Sequence, residues 1–153
     1  MSELTEKEFE AILALNADYR HAMFKRVAAE QGGFYLLVDK DGPLVLNDTE
    51  CDEDNNLYSI LPVWSHEKLA SEYAKDNGHE SMKPQFVTLD AWNNQWVPKL
   101  QEQENVLIGF MIVKDKDFAV DDPQPLYSIF LLALLFLIGL DPFFLALHNL
   151  LFS

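Results

Sequence analysis

The side chains equipped for acid–base or nucleophilic chemistry are few and scattered. There are four histidines (His21, His66, His79 and His148) and one cysteine, Cys51. A metal centre needs several such ligands held at short, regular spacing. No two of these histidines stand that way, so no metal is expected. Ser65 and His66 are adjacent, but a nucleophile–base pair needs hydroxyl and ring within hydrogen-bond reach. Neighbours at a helix start are expected to point apart. Cys51 lies in an acidic loop with no base nearby, so it is not expected to act as a nucleophile. Glu102 and Glu104 read as solvated surface rather than paired acids. Residues 47–56, NDTECDEDNN, have the crowded acids of a calcium loop but not the EF-hand spacing, and read as a polar loop. The expectation is therefore no catalytic residue, no metal and no cofactor.

The aromatic residues leave one opening for binding. Trp64, Trp92 and Trp96, with Tyr58 and Tyr73, belong either to the core or to a ligand pocket. If a pocket exists, contact with a ligand or partner is expected first at Trp64, His66 and Trp92.

The elements that must position these residues can be read from spacing. Leu57 to Tyr73, LYSILPVWSHEKLASEY, reads as strand, proline corner and helix. Pro62 has no N–H and should end the ladder. Ser65 should cap the helix by accepting from the Lys68 N–H. Leu69, Ala70, Tyr73 and Ala74 make its apolar face. Ahead of this, Thr5 and Glu8 have capping-box spacing, and a helical pattern runs from about Glu6 to Gly32, with a break near Asn16–Asp18. Phe34–Val38 and Leu44–Leu46 flank Asp39–Pro43, which is turn chemistry, so a hairpin is expected. Gln85–Leu89 should be a strand. Asp90 should cap a helix over Ala91–Gln103, kinked at Pro98. Val106–Val113, VLIGFMIV, should be a central strand, and residues 114–122 exposed turns. The order α-β-β-β-α-β-α-β predicts an α+β domain. It should have a mostly antiparallel sheet of about five strands with helices packed on it.

At 153 residues the chain is long enough to bury a core without disulfides. A single cysteine excludes an intrachain disulfide and fits a cytoplasmic protein. The formal charge of −14 argues against nucleic acid and anionic membrane surfaces, and suits a basic protein partner. The N-terminus lacks the basic and apolar regions of a signal peptide.

Composition changes at Pro125, dividing a small α+β domain (1–124) from a hydrophobic C-terminal tail (125–153). From Leu126 to Ser153 Asp141 alone is charged. Two apolar segments, Ser128–Leu140 and Phe143–Phe152, flank Asp141-Pro142, and each is too short to span a bilayer, which takes roughly 20 residues. Three readings stand side by side: a helical hairpin in or against a membrane through residues 126–152, helices packed on the sheet or on another subunit as a homo-oligomer, and a chain end read through an altered frame.

Several of these stretches together resemble the uncharacterised bacterial DUF2750 family. They are Asn16-Ala17-Asp18-Tyr19-Arg20, Phe24-Lys25-Arg26-Val27, Phe34–Leu37, Asp39–Gly42 and Leu61-Pro62-Val63-Trp64-Ser65-His66. Ala70, Tyr73, Pro84, Val87-Thr88-Leu89 and the aromatic helix after Asp90 complete the set. The resemblance covers roughly residues 10–115. It implies the fold and a bacterial cytoplasmic setting, and no mechanism. The functional expectation is a non-catalytic, acidic interaction module, adaptor or immunity-like. A tail-anchored membrane protein and a small-molecule-binding domain at an aromatic pocket are the alternatives.

Overall fold

The computed structural model describes residues 3–51 and 53–139. The expected segment Phe143–Phe152, with Asp141 and His148, lies outside them.

The chain is an α+β protein. Its first helix, α1 (Glu6–Ala14), starts with the expected capping box. The Thr5 hydroxyl accepts from the Glu8 N–H at 3.1 Å, and the Glu8 carboxylate accepts from the Thr5 N–H at 3.3 Å. The helical pattern breaks at Leu15–Asn16, where the Asn16 side chain caps α2 (Ala17–Gln31). Gly32 ends α2 with φ +78°, a conformation open to glycine at little cost.

Two small sheets follow. The first is β2-β1-β5: β1 (Gly33–Asp39), the two-residue β2 (Gly42–Pro43) and β5 (Lys83–Thr88), all antiparallel. The second is β3-β4-β6-β7: β3 (Leu46–Cys51), β4 (Leu57–Val63), β6 (Val106–Phe110) and β7 (Ala119–Asp121). Here β4 and β6 run parallel and the outer pairs antiparallel. The sheets join where Tyr35 and Trp64 exchange both backbone hydrogen bonds, at 2.8 and 3.0 Å. Two strands lie in stretches expected to be loops: β3 enters the acid-rich run, and β7 lies in residues 114–122. β3 is a largely polar edge strand and β7 an edge strand of three residues, so neither offers an apolar alternation long enough to read.

Pro62 does not end the ladder, contrary to the expectation. It lies inside β4 opposite Gly109 in the parallel register, and Val63 pairs with Phe110. The N–H of Ser59 points at the β6 side, so by alternation the ring nitrogen of Pro62 faces the other edge. On that edge the β3 pairing reaches no further than Ile60, so no β3 residue pairs with Pro62. The missing donor is not needed.

The helices pack on these sheets around one core. Helix α3 (Glu67–Asp76) buries Leu69, Ala70, Tyr73 and Ala74, as its spacing predicts. Residues 89–102 form a continuous helical run: α4 (Leu89–Ala91), a π-helical turn (Trp92–Trp96) and α5 (Val97–Glu102). Thr88, not Asp90, is its N-cap, accepting from the Ala91 N–H at 3.1 Å. The expected disturbance at Pro98 is absorbed one turn earlier. The Val97 N–H bonds the Trp92 carbonyl five residues back, and a π turn makes room where a proline crowds the preceding carbonyls. Helix α6 (Ile129–Leu137), capped by Ser128, packs against α2. Among the described residues no helix is long and apolar enough to cross a membrane.

Candidate functional site

Ser65 and His66 sit at the joint between β4 and α3. They do not point apart: Ser65 Oγ and His66 Nδ1 are 2.8 Å from each other. Nor is Ser65 the N-cap. That position belongs to His66, whose side chain makes no capping bond. Ser65 is fully buried. Its N–H meets the Met111 sulfur at 3.2 Å, and its carbonyl accepts from Gln31 Nε2 at 2.6 Å. The Ser65 hydroxyl has no exposed surface, which leaves it out of reach of a substrate carbonyl. His66 lines an open polar cleft with Gln31, Tyr35 and Lys68. Burial pulls the pKa of His66 below its ordinary value, against the opposing charge of Glu8. Lys68 is already engaged by Glu6 at 2.7 Å.

Trp64 is 1% exposed. Its indole donates to the Ile112 carbonyl at 3.1 Å, and its ring lies 5.1 Å from that of Tyr73. It borders a narrow crevice with Phe9, Leu69 and Met111.

Trp92 faces a third, apolar cavity of about 270 Å³. Phe24 of α2, Phe34 of β1, Val63 of β4, and Ile108 and Phe110 of β6 form its floor. Residues Pro125, Leu126, Tyr127 and Leu132 line its opposite side, a roof that leaves it partly open. This roof is fastened to the Trp92–Glu102 helical run. Trp92 Nε1 donates to the Gln124 carbonyl at 3.0 Å, and Gln101 Nε2 to the Pro123 carbonyl at 3.0 Å. Asn93 makes two bonds to Leu126, giving Nδ2 to its carbonyl at 2.6 Å and accepting its N–H at 2.8 Å. Beside the floor, His21 stacks on Phe110 at 4.0 Å. Its Nε2 is buried and has no hydrogen-bond partner. Burial and the nearby Lys25 lower the His21 pKa, while Asp121 and Asp18 oppose them.

Trp64, His66 and Trp92 therefore border three different openings, and the fold does not bring them together. Of the three, Trp92 alone faces the aromatic cavity. Sequence spacing missed the rest of that cavity, because its lining comes from positions as far apart as Phe24 and Leu132. The legible signal was the apolar run after Pro125, whose inner side is the roof. Among the described residues nothing covers the outer side of α6: Phe130 is 87% exposed, Phe136 82% and Leu137 80%. Among the described residues no group of three or more His, Cys, Asp or Glu could hold a metal ion.

A family model described as "Protein of unknown function (DUF2750)" matches residues 21–129. The match covers more than half of the chain and runs past Pro125 to the first residue of α6. No curated protein and no solved structure matches the chain.

Proposed function

The chain belongs to the DUF2750 family, and from that premise we propose a non-catalytic, cytoplasmic protein-interaction module of adaptor or immunity type. It docks a basic partner through the outer face of α6 and the acidic surface beside it. The observation that carries this reading is the row of exposed apolar side chains on α6. An apolar patch on a polar surface marks a contact site. The exposed Asp121 and Asp122 lie just before the strap that leads into α6. With a formal charge of −14 they favour a partner carrying positive charge around an apolar centre. The same charge, with no Lys or Arg in residues 126–153, disfavours an anionic lipid surface.

The test is capture from lysate at low and high salt. It uses the full chain and the double variant Phe130→Ser, Phe136→Ser, which changes exposed positions. A basic protein recovered at low salt, weakened by high salt and lost with the variant supports the reading. Recovery of no basic partner, or of one indifferent to both salt and variant, removes it. Sedimentation of the wild-type chain with membranes, abolished in the variant, would favour lipid contact instead. Self-association abolished in the variant would favour a homo-oligomer.

A further inference from the structure

We propose that the cavity under residues 121–132 is a binding site for a small aromatic or branched aliphatic molecule carrying one positive charge. The cavity is open to solvent at one side and holds about 270 Å³ between aromatic side chains of the core and residues 121–132. It stays open because neither wall is free to collapse. The floor side chains Phe24, Phe34 and Trp92 are fixed by ring contacts at 5.0–5.2 Å. The roof is held by the bonds from Trp92, Asn93 and Gln101. A preformed apolar cavity with a few polar groups at its opening is the usual form of a small-ligand site.

The lining selects the ligand class. The aromatic floor favours a flat ring or a compact hydrocarbon body. At the rim, Asp121 and Asp122 outnumber the single Lys25, and the whole molecule carries −14. An anionic amphiphile is repelled by that field and a cationic one attracted. The cavity does not use the exposed side chains Phe130, Phe136 and Leu137 of α6 and shares only Asp121 and Asp122 with the interaction-module reading, so Phe130→Ser with Phe136→Ser tests that reading without touching the cavity lining.

The experiment uses the isotope-labelled full chain and three probes of similar shape: 2-phenylethylamine, 2-phenylethanol and 3-phenylpropanoate. Titrations follow the indole signal of Trp92 and the amides of Phe110 and Leu126. The amine should give a saturable shift confined to these groups, with affinity roughly tenfold above that of the carboxylate. The alcohol should fall between them. Asp121→Asn with Asp122→Asn should narrow the gap between amine and carboxylate severalfold and leave the alcohol unchanged. Ala29→Phe, which places a ring into the opening from α2, should abolish the shifts while the spectrum stays dispersed. Absence of a saturable shift for every probe overturns the proposal, as does equal or stronger binding of the carboxylate. Shifts centred away from Trp92 overturn it, and so do cross-peaks placing residues 140–153 inside the cavity.

Discussion

Arg20 Nε donates to the backbone carbonyl of Met111 at 3.1 Å, tying α2 to the end of β6. The other arms of the guanidinium reach the carbonyls of Leu15 and Asp117. Arg20 is 1% exposed. Met111, which breaks from β6 with φ +54°, presents its carbonyl to the cation and donates its own N–H to Val63 at 2.9 Å. One planar fork thus joins the α1–α2 corner, the end of a central strand and the following loop.

Lysine cannot reproduce this arrangement, because its single ammonium has no fixed fork. Arg20→Lys should leave at least one buried carbonyl unpaired, at about 1–3 kcal/mol each. Arg20→Met should cost more, about 3 kcal/mol or above, since it strands all three acceptors. Urea denaturation measures both. A change under about 0.5 kcal/mol for Arg20→Met would mean that the three bonds contribute nothing net.

Local chemistry was legible in the sequence and edge-dependent chemistry was not. The capping box at Thr5–Glu8 and the apolar face of α3 involve neighbours a few residues apart, so spacing reveals them. Pro62 was misread because the rule for proline depends on which strand edge its nitrogen faces, and that is set by β6, some 45 positions away. The Ser65–His66 contact was misread because the helix starts one residue later than the cap rule placed it. Arg20 carried no sequence signal for burial: charged residues are almost never fully buried, and its acceptors are backbone carbonyls. The aromatic cavity assembles only when α2, β6 and the strap after β7 meet.

Two tryptophans separate core from cavity. Trp64→Ala should destabilise by about 3–5 kcal/mol, since it removes a fully packed ring and its bond to Ile112. Trp92→Ala borders space that already exists, yet it also releases the Gln124 carbonyl from its donor. Its signature should be a looser strap. Amide exchange at Leu126 should quicken far more in Trp92→Ala than in Trp64→Ala, when compared under conditions where both variants are folded. Equal exchange in the two would contradict the role given to the Trp92 indole.

Acid should weaken the fold through His21. Its folded pKa lies below the ordinary value, with burial as the main cause. Between the folded pKa and the unfolded value near 6.5 the unfolded chain binds more protons. Stability is therefore intact above about pH 6.5 and falls as pH drops through the folded value. His66 shifts in the same direction. His21→Phe keeps a ring on Phe110 and removes the unpartnered nitrogen. The drop in urea midpoint from about pH 7.5 to about pH 5.5 should be smaller in His21→Phe than in wild type. An identical drop would show that His21 does not titrate between the two states.

Removing residues 126–153 should not be a neutral excision of a tail. Leu126 exchanges two hydrogen bonds with Asn93, Leu132 lines the Trp92 cavity, and Leu135 is 6% exposed. A chain ending at Pro125 uncovers Phe24, Phe110 and Trp92 together, losing burial that contributes about 1.5–3 kcal/mol for each large apolar side chain fully covered. It should melt at lower temperature and shift its tryptophan emission to the red. Asn93→Ala isolates the strap from the rest of the tail. It should cost about 1–3 kcal/mol, through the two Leu126 groups left without their partner, and should quicken exchange at Leu126 without shortening the chain. If the truncated chain melted like the full one with unshifted emission, residues 126–139 would not cover the domain, and the cavity would lose its roof as well.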